Sequence, residues 1–437
     1  MSAASRARRM RPDLDIVVLE RGYDVSYSAC SLPYYIEGLV EHRDDLIAMG
    51  ADEFREERDI DVRLGTPAVA VDTAGRRVVY ATVEDSTTRE LGYDALVIGT
   101  GATAVAPPIP GIDSPGVFTL RTIPDADRIK LYLKRESVER AVVVGAGYIG
   151  LEMADALAGL ELDVTLVELA DRILTTYDED MASVVEGELK RNGVTVITGS
   201  GVEGFEGDGE KLTHVLCGSG RVEADIAIVG VGVRPNVDLA GTAGLELGEG
   251  GAIRVDRRQR TSDERVYAAG DCAEHYHVVT GEPAWVPLGQ TANKQGRIAG
   301  TNAVGGDEVF GGIAGTNVSK VFDLEIAGTG LTEEAAREHG FDCGAVTIES
   351  RSRSGAYPGG GPLHVRLVFE RSTGRVLGGQ LVGTEGASKR VDSVATAIFA
   401  GMTVGKLATV DMSYAPPFSP VWDPVLIAAS QAAKKVG

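Results

Sequence analysis

The 437-residue sequence has few cysteines, and none of them lies close to another. A redox dithiol of the C-x-x-C type and a zinc knuckle are therefore both excluded as sequence-local motifs. Scattered cysteines in a chain of this length are typical of a reducing compartment, so we expect the protein to be cytoplasmic. The four cysteines are Cys30, Cys217, Cys272 and Cys343.

Long apolar runs and an excess of positive charge are also lacking. No run reaches the roughly 18 apolar residues of a membrane helix, so we expect no membrane segment. Lys and Arg number 43 against 64 Asp and Glu, and the net charge of −21 argues against binding to nucleic acid or an anionic membrane. The basic opening, MSAASRARRMRP, resembles a targeting arm, but no apolar segment follows it, so an amphipathic helix is predicted.

The six histidines do not indicate a catalytic triad or a metal centre. His275 and His277 form an H-x-H pair, but no third ligand stands out. We interpret the pair as part of a loop and expect no metal.

Glycine, in contrast, is abundant, with 56 residues, many of which follow short apolar runs. This pattern favours nucleotide-binding turns over disorder. The clearest case is AVVVGAGYIGLEMADALAGLELDVTLVE at 141–168, where a predicted strand, a G-x-G-x-x-G turn, a helix and a second strand follow one another. The glycines alone are a weak signal, but in this context they predict a dinucleotide site.

Four positions of this motif have expected roles. Gly145 allows the tight turn, Gly147 lets the backbone approach a pyrophosphate, and Gly150 lets helix and strand pack closely. Glu168, at the end of the second strand, is expected to accept a hydrogen bond from the ribose 2′-hydroxyl of NADH. Because its charge would repel the 2′-phosphate of NADPH, NADH is favoured.

Three further residues of the motif lie at the start of its helix. Tyr148 and Ile149 are assigned to the same cofactor site. Glu152 is expected to help position the nicotinamide, with an ordinary surface glutamate as the alternative.

An N-terminal stretch resembles a second nucleotide-binding unit without its beginning. DLDIVVLERG at 13–22 predicts a buried strand that ends at Glu20, where a carboxylate usually bonds a ribose hydroxyl, and Arg21 is assigned to the same site. A strand and a glycine turn that holds pyrophosphate normally precede the helix of such a unit, yet here the helix opens the chain. We therefore expect either a misplaced start codon or a truncation.

Three more glycine-centred stretches follow short apolar strands, at 93–111, 224–236 and 261–274. Each is interpreted as a buried strand that brings backbone close to a ligand. In the third, Asp271 stands at a strand end, where its carboxylate either bonds a polyol chain or serves as a turn residue. The cofactor residues assigned in these stretches are Thr100, Gly101, Gly232, Gly270 and Asp271.

The last part of the chain, about 313–437, changes in character. Alternating runs such as LHVRLVFE at 363–370 and RVLGGQLVG at 375–383 predict antiparallel strands. A helix is predicted over 387–401, followed by the proline-rich YAPPFSPVWDP. We expect an α+β domain that forms an interface.

Cys30 lies in SYSACSLPYY and could be a packing residue, half of a disulfide, a metal ligand or a nucleophile. The two nucleotide sites predicted around it favour the nucleophile. Pro33 suits the first turn of a helix over about 33–39, whose unpaired N–H groups and dipole are expected to lower the pKa of the Cys30 thiol. The other three cysteines lack such a setting and are interpreted as packing residues.

In this order, the pieces resemble the FAD-dependent pyridine nucleotide–disulfide oxidoreductase family. Within it the chain is most similar to the coenzyme A-disulfide reductases. The general marks of the family are TGA at 100–102, GAGYIGLE at 145–152, GVGVRPN at 230–236 and YAAGD at 267–271. The more specific marks are SYSACSLPY at 26–34, YPG at 357–359 and YAPPFS at 414–419.

The resemblance implies an α/β fold with two Rossmann-like dinucleotide-binding domains, for FAD and NAD, and a C-terminal α+β dimerisation domain. The FAD domain would comprise 1–112 and 246–312, the NAD(P)H domain 113–245 and the dimerisation domain 313–437. The implied assembly is a homodimer whose active sites are shared between subunits.

The resemblance also implies a chemistry. NADH would reduce FAD, and the flavin would reduce a disulfide between Cys30 and coenzyme A. Tyr414 and Tyr357 of the partner subunit would supply a proton or hydrogen bond, with interface packing as the alternative. The implied substrate residues are Arg6, Arg9, Ser26 and Tyr27, of which the two arginines could share a helix face and grip phosphates or form a solvated basic face.

The sequence thus predicts flavin-dependent reduction of coenzyme A disulfide, or of a related small disulfide, by NADH. One alternative is an NADH oxidase or peroxidase in which Cys30 cycles through sulfenic acid. Another is a persulfide or polysulfide reductase, since Ala29 and Trp422 replace an asparagine and a lysine of the best-matching reductases. The non-enzyme alternative is a truncated fragment that binds NAD but not FAD.

Overall fold

The computed structural model describes residues 1–83 and 87–437. The first 300 residues combine parallel strands and helices with small antiparallel sheets, and a five-stranded antiparallel sheet forms the centre of the remainder. The predicted α/β class with a C-terminal α+β region is confirmed. Among the described residues, every helix is too short or too polar to traverse a bilayer.

The first 112 residues contain one pair of parallel strands and a separate antiparallel sheet. Strands β1 and β2 pair in parallel, and β3, β4 and β5 form the antiparallel sheet. The helices are α1 (Ser2–Met10), α2 (Leu32–Glu37) and α3 (Ala51–Arg58). The strands are β1 (Val17–Leu19), β2 (Asp61–Arg63), β3 (Ala68–Asp72), β4 (Arg77–Ala81), β5 (Thr88–Gly92), β6 (Leu96–Ile98) and β7 (Ala102–Ala104).

The next region is built on a five-stranded parallel sheet of order β11-β10-β9-β15-β8. A small antiparallel sheet of β12, β13 and β14 covers one face, and β16 pairs with β7. The helices are α4 (Ile123–Arg135), α5 (Tyr148–Gly159), α6 (Glu179–Arg191) and α7 (Asp238–Thr242). The strands are β8 (Val117–Thr119), β9 (Arg140–Val144), β10 (Asp163–Val167), β11 (Thr195–Ile197), β12 (Val202–Gly207), β13 (Leu212–Cys217), β14 (Gly220–Glu223), β15 (Ile226–Val229) and β16 (Val233–Pro235).

The apolar runs of β9 and β15 are explained by burial on both faces. Val143 and Ile228 pack in the core beneath the helices, whereas Val142 and Val229 pack against the small antiparallel sheet. Parallel strands covered on both faces are typically continuous apolar runs.

Residues 246–312 return to the first region. Strand β17 (Val266–Ala268) pairs in parallel with β6, and β18 (His275–Tyr276) pairs with β19 (Pro283–Ala284). Helix α8 (Gly289–Ala303) packs against α1 so closely that a Cβ on Gly300 would lie 2.3 Å from the carbonyl oxygen of Ala3. Glycine is therefore required where the two helices meet.

The C-terminal sheet has the order β20-β21-β24-β23-β22, with every neighbouring pair antiparallel. Its strand β24 is buried on both faces, because Leu381 packs in the core with α10 and Val382 in the core of the preceding region. The strands are β20 (Asn317–Val321), β21 (Leu324–Gly330), β22 (Cys343–Arg351), β23 (Pro362–Glu370) and β24 (Val376–Gly383). The helices are α9 (Glu333–Glu338), α10 (Ala387–Phe399), α11 (Val404–Leu407) and α12 (Pro424–Ala433).

An arginine with three carboxylate partners joins this sheet to the parallel-sheet region. The largely buried guanidinium of Arg366 lies 3.0 Å from Asp178, 2.9 Å from Asp180 and 2.6 Å from Glu333. Charge-assisted bonds of this kind are among the strongest polar contacts in proteins, so the two regions are held in one arrangement.

Candidate active site

A cavity of about 3430 Å³ opens between the nucleotide-binding regions. This is several times the roughly 300–1,000 Å³ of a pocket for one drug-sized ligand, and it is large enough for two dinucleotides. Its walls include the turn after β9, the ends of β6, β15 and β17, and Cys30. The structure therefore brings the predicted nucleotide sites and the predicted nucleophile to one space.

The glycine turn after β9 has the geometry that the motif predicts. Gly145 has φ +95°, and a Cβ there would lie 2.6 Å from the carbonyl oxygen of Gly230. A Cβ on Gly150 would lie 1.8 Å from the carbonyl oxygen of Gly145. Helix α5 therefore packs against the turn too closely for any side chain at this position. Gly147 instead has open space around it and lines the cavity, as a backbone approach to a ligand requires.

Glu168 is fixed at the end of β10 by backbone hydrogen bonds. Its carboxylate accepts from the N–H of Ala146 at 2.6 Å and from the N–H of Ala170 at 2.9 Å. The side chain lines the cavity beside the glycine turn. The carboxylate of Glu168 is therefore fixed beside the turn, where the ribose of a bound nucleotide would lie.

The first residues of α5 also face the cavity. Tyr148 lines it and packs edge to face on Tyr177, with ring centroids 6.3 Å apart. Ile149 is 38% exposed although it is apolar, and it lines the same wall. Apolar side chains at a concave wall are typical of cofactor sites.

The loop after β6 is tied to the residue that follows β16. Thr100 donates through Oγ1 to the carbonyl of Asn236 at 2.6 Å, and Asn236 donates back to the carbonyl of Thr100 at 2.9 Å. Gly101 and Gly232 both have positive φ, with open space where a Cβ would stand. Thr100, Gly101 and Gly232 all line the cavity, so their predicted place at a ligand is consistent with the geometry.

The residues predicted to contact FAD at the ends of β1 and β17 line the same cavity. Glu20 directly follows β1, accepts from the N–H of Gly22 at 2.7 Å and lines the cavity together with Arg21. Gly270 has φ +84°, and Asp271 turns its carboxylate to Arg121, whose Nη2 lies 2.5 Å away. Both Asp271 and Arg121 line the cavity.

Arg121 was not predicted from the sequence as a site residue. It lies just after β8 and also donates to the carbonyl of Ala102 at 3.2 Å. An available signal was its position beyond the carboxyl end of a parallel strand, where ligand-binding side chains collect in α/β sheets.

Cys30 lies in a 3₁₀ turn, Ala29–Ser31, and is exposed at the cavity wall. The turn is closed by a hydrogen bond of 2.7 Å between the hydroxyls of Ser28 and Ser31. Helix α2 starts one residue after this turn and ends at Glu37, so it is shorter than the predicted helix over 33–39. Cys30 is exposed and forms no disulfide with another cysteine of the chain, which argues against a buried packing residue and against an intrachain disulfide.

The predicted lowering of the Cys30 pKa is wrong. Desolvation by the surrounding protein raises the pKa of this thiol, and the charge of Glu152 raises it further. The positive charge of Arg121 acts in the opposite direction. A helix of six residues, with the cysteine outside its first turn, does not offset these effects.

Glu152 is the most strongly perturbed carboxyl at the cavity wall. Burial, followed by the charge of Asp155, raises the pKa of Glu152 to about 7. Burial and the charge of Glu152 also raise the pKa of Tyr34, in α2, to about 12. Glu152 can therefore hold or release a proton near neutral pH beside the nucleophile.

A second cavity, of about 270 Å³, adjoins the first. Three arginines from three helices surround it, namely Arg9, Arg58 and Arg297. Ser26, which has φ +52°, lines both cavities and lies four residues before Cys30. Arg9 and Ser26 were predicted to bind the same phosphorylated group, whereas Arg58 and Arg297 were missed because nothing in the local sequence relates them.

Arg6 does not belong to this group, which corrects the prediction that it and Arg9 grip phosphates together. Its guanidinium pairs with Glu308 at 2.6 Å and donates to Thr301 at 2.9 Å, and it lines neither cavity. The cause is the close packing of α1 on α8, which turns Arg6 toward the end of α8. Tyr27 does line the main cavity, where burial raises the pKa of its hydroxyl.

Tyr357 and Tyr414 lie far along the chain, in two exposed loops of the C-terminal region, and line neither cavity of the described chain. The N–H of Ser354 donates to the carbonyl of Pro416 at 3.3 Å and joins the two loops. Arg390 holds the second loop by an ion pair of 2.7 Å with Asp423. The role of Tyr357 and Tyr414 toward Cys30 of a partner subunit stays a prediction.

The remaining cysteines and the histidine pair are buried. Cys217, Cys272 and Cys343 are buried and free, which confirms them as packing residues. The prediction that His275 lies in a loop is wrong, since His275 is the first residue of β18. Burial lowers the pKa of His275 and of His277 to about 4. In the part of the chain that the structure describes, no three His, Cys, Asp or Glu side chains form a metal-binding group.

Comparison with known protein families gives two matches that together span most of the chain. A profile described as pyridine nucleotide-disulphide oxidoreductase matches residues 1–296. The dimerisation domain described for the same oxidoreductases matches residues 316–424.

Individual relatives cover almost the whole chain. The NAD(P)H sulfur oxidoreductase (CoA-dependent) of Pyrococcus furiosus is 39% identical over 430 residues, which are 98% of this chain and 96% of the relative. The coenzyme A disulfide reductase of Staphylococcus aureus strain MSSA476 is 31% identical over 420 residues, 96% and 94% of the two chains. A solved NAD-dependent persulfide reductase from A. fulgidus superimposes with a TM-score of 0.96 at 42% identity, over 99% of this chain and 81% of its own. The predicted likeness to coenzyme A disulfide reductases is confirmed.

Proposed function

The chain belongs to the pyridine nucleotide-disulphide oxidoreductase family, and from this premise we propose that it reduces coenzyme A disulfide with NADH. It is a flavin-dependent NAD(P)H oxidoreductase with FAD as the cofactor.

One observation supports it above the others. Cys30 is exposed on the wall of a cavity that also holds the Gly145 turn and Asp271, and a second cavity with three arginines opens beside it at Ser26. Coenzyme A carries a phosphorylated nucleotide at one end and sulfur at the other. The arginines would bind the phosphates while the sulfur reaches Cys30.

The residues at the cavity wall fit NADH and, at Glu20 and Asp271, the ribose and polyol parts of FAD, whereas the glycine turn expected to hold the FAD pyrophosphate is not among the 437 residues. Gly101 and Gly147 leave open space for a ligand beside the backbone. Glu20, Arg21, Thr100, Gly101, Gly270 and Asp271 would hold FAD. Gly145, Gly147, Tyr148, Ile149, Glu152 and Glu168 would hold NADH. When bound, FAD supplies the transfer of an electron pair from nicotinamide to sulfur.

The chain's own residues carry the sulfur chemistry. The Cys30 thiolate attacks coenzyme A disulfide, forms a mixed disulfide and releases one coenzyme A thiolate. Two electrons from NADH then break the mixed disulfide, which returns Cys30 to its thiolate and releases the second coenzyme A. One NADH, one proton and one coenzyme A disulfide give NAD⁺ and two thiols.

Protons for the released thiolates would come from tyrosine hydroxyls. The partner subunit's Tyr414 and the partner subunit's Tyr357 are assigned this role. Phe418, Val421 and Trp422 follow Tyr414 in the sequence, and their exposed side chains would form part of the subunit interface. The match to a dimerisation domain supports a homodimer.

A second candidate substrate is a persulfide of coenzyme A. It is favoured by the name of the A. fulgidus relative, a persulfide reductase, and by that of the Pyrococcus furiosus relative, a CoA-dependent sulfur oxidoreductase. Both are more identical to this chain than the disulfide reductase is. Attack of the Cys30 thiolate on the inner sulfur would release hydrosulfide and leave a mixed disulfide with coenzyme A, whereas attack on the outer sulfur would release coenzyme A thiolate and leave a persulfide on Cys30. Two electrons from NADH would then break either sulfur–sulfur bond.

The test is an anaerobic assay of purified protein with NADH and coenzyme A disulfide. We expect flavin absorbance in the protein and two thiols released for each NADH consumed. Turnover with coenzyme A persulfide alone would select the second candidate. In a parallel reaction without a sulfur substrate, NADH loss on addition of oxygen or peroxide would establish the oxidase or peroxidase. A colourless protein that binds NADH would establish the fragment.

A further inference from the structure

A buried glutamine lies directly behind the loop that carries Asp271. Gln295, in α8, has no exposed surface. Its Oε1 accepts from the N–H of Gly270 at 3.0 Å, and its Nε2 donates to the carbonyl of Glu274 at 2.8 Å. One side chain thus holds both ends of the segment 270–274.

The same segment is held from its other sides by long-range contacts. The indole N–H of Trp285 donates to the carbonyl of Asp271 at 2.9 Å, and Arg121 pairs with the Asp271 carboxylate at 2.5 Å. Gly270 has φ +84°, and its N–H points to the side chain of Gln295 and not to a neighbouring strand. Gln295 is its hydrogen-bond partner in the described structure.

We propose that Gln295 is a positioning residue that sets the affinity for FAD by fixing the Gly270–Asp271 peptide at the cavity wall. This rests on the proposed assignment of Asp271 to the FAD site. Gln295 lines neither cavity, so it acts only through the loop.

Loss of the Gln295 contact is expected to weaken the binding of FAD. A buried N–H that loses its partner pays the cost of desolvation, so the loop will turn Gly270 toward water when Gln295 is replaced by an apolar residue. The carboxylate of Asp271 turns with it. FAD must then reorder the loop when it binds, which weakens its affinity.

The experiment compares Gln295→Met, which has a similar volume, with Gln295→Glu, which keeps an oxygen acceptor for Gly270 and, with its carboxyl protonated, a hydroxyl donor for the carbonyl of Glu274. Release of FAD from diluted holoenzyme, followed by free-flavin fluorescence, gives the dissociation constant. We expect it to rise about tenfold in Q295M and less than about threefold in Q295E. NADH affinity is expected to be unchanged in both.

Gln380→Met is the matched control. Gln380 is equally buried and hydrogen-bonded, but its partner is Asp178, far from the FAD loop. Equal weakening of FAD in Q380M and Q295M, or no weakening in Q295M, would overturn the inference. Asp271→Ala separates the two claims: unchanged FAD affinity in D271A contradicts the assignment of the loop itself, whereas a weakened D271A beside a native-like Q295M contradicts only the role of Gln295.

Discussion

The two parallel-sheet regions hold their ligand-facing loops in different ways. In 141–168, the turn is shaped by contacts of backbone with backbone, such as that of Gly150 with the carbonyl of Gly145, and by the carboxylate of Glu168, which belongs to the same contiguous motif. In the other region, the loop at 270–271 is held by the side chains of Arg121, Trp285 and Gln295, which come from distant parts of the chain.

This difference determines what sequence alone can show. A backbone turn needs glycines at fixed spacing, and the spacing is visible. A loop held by side chains needs partners that only the folded chain brings together. The first region is therefore expected to be sensitive to added Cβ atoms and the second to lost charges and hydrogen bonds.

The largest effect is expected at Gly145. Gly145→Ala adds a Cβ at positive φ, 2.6 Å from the carbonyl oxygen of Gly230, and should lower the free energy of unfolding by about 3 kcal/mol. NADH binding should be lost with the shape of the turn. Urea unfolding and NADH titration measure both.

Gly187→Ala is the control for this change, since it lies in α6 with open space around it. It should leave stability unchanged or raise it by up to about 1 kcal/mol. Similar losses in the two variants would contradict the claim that backbone contacts shape the turn.

The next largest effect concerns Glu152, which lies where the two regions face each other. Its pKa of about 7 in the folded protein is above the ordinary 4.5, so the stability associated with neutral Glu152 is complete below pH 4.5 and is lost as the pH rises through 7. The loss amounts to about 3 kcal/mol. Glu152→Gln should remove this part of the pH dependence, as urea unfolding at pH 5 and pH 8 will show.

Glu203→Gln, an exposed change on β12, should keep the native pH dependence. If E152Q were as sensitive to pH between 5 and 8 as the native protein, Glu152 would not be the group that titrates.

The smallest effect is expected at Arg121. Its charge lowers the pKa of Cys30 against the effects of burial and Glu152, so Arg121→Gln should raise that pKa and slow alkylation of Cys30 by iodoacetamide several-fold at pH 8. Arg121→Lys should retain most of the native rate. A rate in R121Q equal to the native one would show that the charge of Arg121 does not act on the thiol.

Much of the fold was predictable because its motifs are contiguous. The strand, turn and helix around Gly145 and the acidic strand end at Glu20 were found where the sequence indicated them. The failures have physical causes. Arg6 turned to Glu308 because α1 packs on α8, and the Cys30 pKa rose because burial exceeds the effect of a six-residue helix. Arg58 and Arg297 meet only in the folded chain.

The most direct test of the account is Cys30→Ser in an anaerobic reaction with NADH and coenzyme A disulfide. The account predicts that NADH bleaches the flavin absorbance of C30S at the native rate while thiol release stops, because the serine hydroxyl cannot form a mixed disulfide. Continued release of two thiols for each NADH by C30S would contradict it, since electrons would then reach the disulfide without this sulfur.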